Sequence, residues 1–187
     1  MSIINISDKI KLENGYEYRL IEKNFLNSDS EDNKDFKNSP GITIKIGTIR
    51  RPVSIATILL TKEDDYVGHI SANLYNNGIA SLIRAGIMGI DLPDELKKYG
   101  DIIQEHDTAL LVDNKYRRKG RATKLLMLMF QYLDEKGIKD LEVCGITNES
   151  AMQTYLKTGA EILEGKNAIY RNIKRFLPKE KDGGGER

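Results

Sequence analysis

Apolar residues along this chain recur at two spacings: every second residue through much of its first half, and every third or fourth in parts of its second. These are the periods of strands and of amphipathic helices. Tyr16–Ile21 has strand composition, Ile42, Ile44 and Ile46 alternate with polar residues, and Val53–Thr61 is rich in β-branched residues. A turn at Lys62–Asp65 leads to a further strand, Tyr66–Tyr75, and Asn76–Gly78 signals the next turn. Together these predict an antiparallel β-meander. Between the early strands, residues 27–40 are polar with a single aromatic and predict a mobile loop.

Residues 79–104 obey neither period cleanly. Ile79, Leu82, Ile83, Ile87, Met88 and Ile90 are apolar, but Gly86, Gly89 and Pro93 interrupt them. Ala80–Ile87 reads as a short helix, and a second opens at Pro93, a first-turn position that proline tolerates. A short strand, Thr108–Asp113, follows. The clearest helix is Arg121–Lys136, because Ala122, Leu125, Leu126, Met129, Phe130 and Leu133 fall on one face and Gly137 ends it. Leu141–Ile146 predicts a strand, Ser150–Thr158 a short helix closed by Gly159, and Ala168–Ile173 a last strand. The second half therefore reads β-α-β-α-β after the meander: an α/β chain with a mixed sheet, of α+β type. One domain over residues 1–176 and a disordered tail over residues 177–187 account for the whole length.

Charge narrows the choice of partners. With 29 basic and 28 acidic residues the formal net charge is +1, so nothing draws the whole molecule to nucleic acid or to an anionic membrane. Cys144 is the only cysteine, which excludes an internal disulfide and fits a reducing compartment. Residues 1–21 lack the apolar core of a signal peptide, and the apolar runs are far short of a membrane span. The expectation is a cytoplasmic protein, monomeric or homodimeric, that contacts neither membrane nor nucleic acid. Two histidines and one cysteine, widely spaced, give no metal site.

The charge that matters is local. In Leu110–Leu126 a strand runs into a turn with five basic residues among seven, Lys115 to Arg121, and that turn opens the amphipathic helix. A helix start offers unpaired N–H groups and the positive end of a dipole, which together receive an anion. Gly120 lets the backbone approach a ligand without a Cβ, and Ala122 is small. Neither GxxxxGK[ST] nor a post-strand GxGxxG is present, which argues against the common nucleotide folds.

The turn spells Arg117-x-x-Gly120-x-Ala122 and is preceded by Val112. It resembles the R/Q-x-x-G-x-G/A signature of the GNAT superfamily of N-acyltransferases. A second run, Asn148-x-x-Ala151-x-x-x-Tyr155-x-x-x-Gly159-Ala160, is similar to that family's N-x-x-A-x-x-x-Y-x-x-x-G-F element, with Ala160 in place of the aromatic. The resemblance covers roughly residues 105–173, with Tyr66–Tyr75 as an earlier family strand. It departs in the first 40 residues and in residues 79–104, the regions that shape the acceptor site in such enzymes.

The resemblance implies a GNAT-like fold, acetyl-CoA as co-substrate without a metal, and direct acetyl transfer to a small-molecule or peptide amine. It places Leu111, Val112, Arg117, Arg118, Lys119, Gly120, Arg121, Ala122, Thr123, Asn148 and Tyr155 around coenzyme A. Val112 would supply the N–H for the thioester carbonyl, a preorganised donor of the oxyanion-hole kind. Tyr155 would protonate the departing thiolate. His106 falls where family members carry a base, with Glu105 and Asp107 able to replace or orient it. His69 reads as a strand histidine that packs or faces solvent, and Cys144 as a buried strand residue rather than a nucleophile. Residues 79–104, with Arg84, would lie over the acceptor end of the sheet or cap the core. Two other functions fit the same motifs: an acyl-CoA-binding regulatory module that transfers nothing, and a toxin-like enzyme acetylating aminoacyl-tRNA.

Overall fold

The structure is a computed structural model that describes residues 9–11, 15–24, 54–75, 78–82, 109–164 and 166–178. Among them nine strands form one mixed sheet: β1 (Lys9–Lys11), β2 (Tyr16–Asn24), β3 (Ser54–Lys62), β4 (Asp65–Leu74), β5 (Ile79–Leu82), β6 (Leu110–Val112), β7 (Asp140–Val143), β8 (Glu161–Leu163) and β9 (Asn167–Tyr170). Two helices complete it, α1 (Arg121–Glu135) and α2 (Glu149–Lys157). Strand order is β1-β2-β3-β4-β5-β7-β9-β8, with β6 paired to β4 beside β5. Only β5 and β7 run parallel. The predicted α/β mixed sheet and its meander of β2, β3 and β4 are present.

Several boundaries differ from the sequence reading. Ile79–Leu82 is a strand, not the start of a helix, and residues 83–108 lie outside the described residues. A continuous apolar run does not distinguish a buried strand from a buried helix, and here pairing to β4 and β7 decides. The strand predicted to reach Ile146 ends at Val143, and the last strand stops at Tyr170, before a 3-10 turn over Ile173–Phe176. The short strands β1 and β8 carried no periodic signal. The predicted 27–40 loop, the Ile42–Ile46 strand and the 177–187 tail lie outside the described residues, apart from Leu177 and Pro178.

One face of the sheet is apolar. Register aligns Leu74, Ala80, Leu141 and Tyr170 across four strands, and Leu20, Ile58, Ile70 and Leu110 across another four. Helix α1 lies against this face and buries Leu125, Leu126, Leu128, Met129, Phe130, Tyr132 and Leu133. Its ends are tied to the same face of β2. Arg121 bonds the Tyr16 hydroxyl, and Lys136 pairs with Glu22 at 3.0 Å.

Candidate active site

Strands β5 and β6 are two pieces of one lane. Both run antiparallel to β4, β5 opposite Asn73–Leu74 and β6 opposite Gly68–Ile70. The chain leaves this lane after Leu82 and rejoins it at Ala109, whose carbonyl accepts from Ser71 N–H at 2.7 Å. The parallel partner does not follow: β7 pairs with β5 over Ile79–Leu82, and its last rung is Cys144 N–H to the Leu82 carbonyl. Beyond that rung the sheet splits, leaving the far edge of β6 without a strand partner among the described residues.

Register fixes which groups line that edge. Ser71 N–H donates to Ala109, and Asp113 N–H to Val67 at 2.9 Å, so the odd residues of this lane are the ones bonded to β4. Bonded and non-bonded pairs alternate in an antiparallel ladder. The non-bonded pairs are Gly68 with Val112 and Ile70 with Leu110, which turns the N–H groups of Leu110 and Val112 toward the split. The Leu111 backbone faces β4 instead, so of the two strand residues assigned from sequence only Val112 shares the open edge. Leu110, absent from that assignment, shares it too.

Two residues hold this edge in place. A Cβ on Gly68 would lie 2.5 Å from the Leu111 carbonyl oxygen, so only glycine lets β4 and β6 approach this closely. Beside it the register of β3 and β4 shifts, Thr61 facing Tyr66 and Leu60 facing Gly68, which makes Val67 a bulge residue. From the other side Arg117 Nε donates to the Val112 carbonyl at 2.7 Å. Sequence reasoning missed Gly68 because its reason is a contact across strands.

The basic turn leads from that edge into α1. Arg118 and Gly120 both have left-handed backbone, φ 60° and 72°, and Gly120 caps the helix without a side-chain bond. The first intrahelical bond is Lys124 N–H to the Gly120 carbonyl, so the N–H groups of Arg121, Ala122 and Thr123 point out of the helix start. Nothing lies within 4 Å of where a Gly120 Cβ would be, which leaves room for an anion. The side chains contribute less than their number promises. Arg117 is held by Val112, Lys115 pairs with Asp65 at 3.3 Å, and Arg121 folds back over Tyr16, its guanidinium carbon 4.7 Å from the ring centroid. Arg118 and Lys119 remain exposed at the mouth of the turn. An anion received here would therefore meet mainly backbone.

A strand edge with inward N–H groups, running into a glycine-opened helix start, is the part of the chain that the motif describes. The profile of the Acetyltransferase (GNAT) family matches residues 22–160. The chain belongs to the GNAT acetyltransferase family. Among solved structures it is similar to the PaiA N-acetyltransferase of Thermoplasma acidophilum in complex with coenzyme A, with 17% identity, TM-score 0.44, and 62% of this chain and 58% of that one covered. The match thus spans less than two thirds of the Thermoplasma protein. It is also similar to a GNAT-family acetyltransferase of Staphylococcus aureus Mu50 (17% identity, TM-score 0.46, 64% and 68% covered). A third is the IAA acetyltransferase of Bacillus cereus (14% identity, TM-score 0.42, 77% and 78% covered). No curated protein matches.

The second motif of this GNAT chain builds α2. Asn148 is its N-cap, with Oδ1 accepting from Ala151 N–H at 2.7 Å, so its side-chain oxygen sets the helix start. Tyr155 is buried against Tyr170, ring centroids 6.5 Å apart. Burial, and secondarily Tyr170, hold its phenol well above the usual range. Gly159 has φ 95°, and a Cβ there would meet the Phe176 ring at 2.6 Å. Phe176 packs tilted against Phe130 and edge-on against Tyr170, supplying an aromatic beside the motif where Ala160 has none.

The sheet face opposite α1 buries Ile21, Leu59, Leu111 and Ile169, and it also carries most of the buried polar side chains. Of the five buried polar side chains among the described residues, Thr57, His69, Asn73 and Ser81 lie on it, and only Ser54 falls on the apolar face. Thr57 and Ser71 share a hydrogen bond at 2.8 Å, and the Tyr66 hydroxyl lies 2.7 Å from His69 Nδ1. His69 is 1% exposed and hydrogen-bonded to Tyr66, so of the two expectations it packs rather than faces solvent. Cys144 sits just past β7, half-buried, with Sγ 3.4 Å from Ser81 Oγ; burial pushes its thiol pKa up, which fits a non-nucleophilic role. His106, Glu105, Asp107 and Arg84 lie outside the described residues. No described helix is long and apolar enough to cross a membrane.

Proposed function

We propose that this chain transfers the acetyl group of acetyl-CoA to a primary amine by direct attack in a ternary complex. One observation carries the reading: the N–H groups of Leu110 and Val112 face the split, and that edge runs straight into the helix start at Gly120. A pyrophosphate at the N–H groups of Gly120 to Thr123 puts the pantetheine arm along β6, where its amides can pair with the strand edge. The thioester carbonyl then meets an N–H of the same edge, and that donor shortens the barrier because negative charge develops on the oxygen it faces. Arg118 and Lys119 add charge at the mouth.

An ammonium cannot attack, so a base removes one proton first. His106 takes it, with Glu105 able to replace or orient it, since an imidazole, whose unperturbed pKa is about 6.5, is the side chain suited to that task. The nitrogen bonds to the carbonyl carbon, the C–S bond breaks, and the second proton lost by nitrogen balances the one gained by sulfur. Tyr155, held in its neutral phenol form, donates a hydrogen bond to the sulfur as it becomes anionic and relays that proton. The protein works in the cytoplasm, as a monomer or a homodimer.

Release of thiol from acetyl-CoA over a panel of amines tests the activity. Gly120→Glu tests the site, because it places bulk and negative charge where phosphate sits. Acetyl-CoA should raise the melting temperature of the wild-type protein by mass action and leave that of the variant unchanged. A folded variant still stabilised by acetyl-CoA would show the pyrophosphate to bind elsewhere.

A further inference from the structure

The split beside β6 has a cause in β7. Cys144 N–H donates to the Leu82 carbonyl on the β5 side, so by alternation the backbone groups of Leu141 and Val143 turn to β9, opposite Tyr170 and Ala168. One pair further along, Gly145 should bond with Lys166, and Ile146 should turn toward β6. Neither does. Ile146 N–H donates to the Lys166 carbonyl at 2.8 Å, so two residues after β7, Gly145 and Ile146, oppose the single residue Lys166 before β9. That count defines a β-bulge, and a glycine with left-handed backbone is a usual first residue. Gly145 has φ 65°. The side chains agree: without the extra residue Ile146 would share the face of Glu142, yet it is 6% exposed and joins Leu141 and Val143 in the apolar core.

The bulge decides what β6 can pair with. In the lane opposite β4, Ala109 takes the place that follows Leu82, so Leu110 is the next residue to face outward. A straight β7 would accept from Leu110 N–H at the Cys144 carbonyl and donate Ile146 N–H to the Leu110 carbonyl, as a parallel ladder requires. The split would then close. Lys166 holds Ile146 N–H instead, and one side chain secures the diversion: Asn167, the first residue of β9, whose Oδ1 accepts from Gly145 N–H at 2.9 Å. Nothing lies within 4 Å of a Gly145 Cβ, so this glycine answers to backbone conformation rather than to crowding.

Resting on the acetyltransfer reading, we propose that Asn167 is a positioning residue for coenzyme A: its carboxamide holds the Gly145 bulge, and the bulge keeps β7 from sealing the edge of β6. Without that bond the sealed pairing competes with the cofactor, and apparent affinity falls with the fraction of molecules left open. The test compares Asn167→Ala, which removes the acceptor, with Asn167→Asp, which keeps an oxygen in its place. By calorimetric titration Asn167→Ala should weaken acetyl-CoA binding about tenfold, which corresponds to about 1.4 kcal/mol, and Asn167→Asp should restore it to within about twofold. In the cofactor-free protein Asn167→Ala should also slow exchange of the Leu110 amide, because the Cys144 carbonyl then receives it. A loss of stability alone would speed exchange instead. If the alanine variant does not fold, Gly145→Val and Gly145→Asn ask the same question, since asparagine tolerates left-handed backbone and valine does not. Valine should weaken binding and slow Leu110 exchange, and asparagine should do neither. Equal affinities for wild type and Asn167→Ala, no rescue by aspartate, or faster Leu110 exchange in the alanine variant overturns the positioning role and leaves coenzyme binding standing. If acetyl-CoA does not bind the wild type, the acetyltransfer reading itself fails and this role with it.

Discussion

The two faces of the central sheet are built from the same strands, yet they differ in kind. Ala56, Ile58, Leu60, Ile70, Ala72 and Leu82 on one face are at most 2% exposed and lie under α1. On the other, Thr57, His69, Asn73 and Ser81 are at most 6% exposed, and they carry hydroxyl, imidazole and amide groups. Burying polar groups costs free energy unless each finds a partner. The first face has an obvious reason in packing. The second mixes these polar groups with buried Ile21, Leu59, Leu111 and Ile169, and it adjoins the split where the edge of β6 opens. Under the proposed function, one face holds the fold together and the other, with that edge, adjoins the chemistry.

If this division is right, a substitution on the apolar face should change stability and spare binding. Phe130→Ala removes a ring with no exposure that stacks on Tyr170 and Phe176, and should cost about 3–5 kcal/mol. Denaturant melts should show that loss, while acetyl-CoA affinity of the remaining folded protein stays at the wild-type value. A large change in affinity would mean that α1 does more than cover the core.

Gly68 sits at the boundary between the two roles. Gly68→Ala puts a Cβ against the Leu111 carbonyl and must displace β6. The expected cost in stability is smaller, about 1–3 kcal/mol as for other overpacked sites. Acetyl-CoA affinity should fall as well, because the Leu110 and Val112 N–H groups move with the strand. Calorimetric titration showing unchanged affinity would separate the edge from binding.

Tyr155 sharpens the contrast from the other direction, since it belongs to the apolar core cluster yet is assigned a part in the reaction. Tyr155→Phe keeps the ring and removes the hydroxyl. Turnover should fall about tenfold with little change in acetyl-CoA affinity, the mark of an interaction made in the transition state. Equal turnover numbers for variant and wild type would return Tyr155 to packing alone.

The sequence disclosed those parts of the candidate site that are local in the chain. Arg117 to Thr123 form one turn and one helix start, so adjacent residues carry the whole signal, and α1 appeared with five of its seven buried residues, Leu128 and Tyr132 being missed and Ala122 only half-buried. Asn148 and Tyr155 belong to one short helix and were legible for the same reason. What stayed hidden depends on residues meeting across strands. The Ile79–Leu82 strand looked helical because its pairing partners lie at residues 73–74 and 140–143. Strand β6 looked independent because residues 83–108 separate it from the lane it completes. Gly68 matters only once Leu111 lies beside it.

The central claim is that acetyl-CoA lies along the open edge of β6 with its pyrophosphate at the start of α1. Residue-resolved amide exchange by NMR, with and without acetyl-CoA, tests it most directly. The account predicts that the amides of Leu110 and Val112 and those of Gly120 to Thr123 gain protection, while Leu111, already bonded to β4, changes little. Protection spread evenly over Leu110, Leu111 and Val112, or none in this stretch while acetyl-CoA binds, would contradict it.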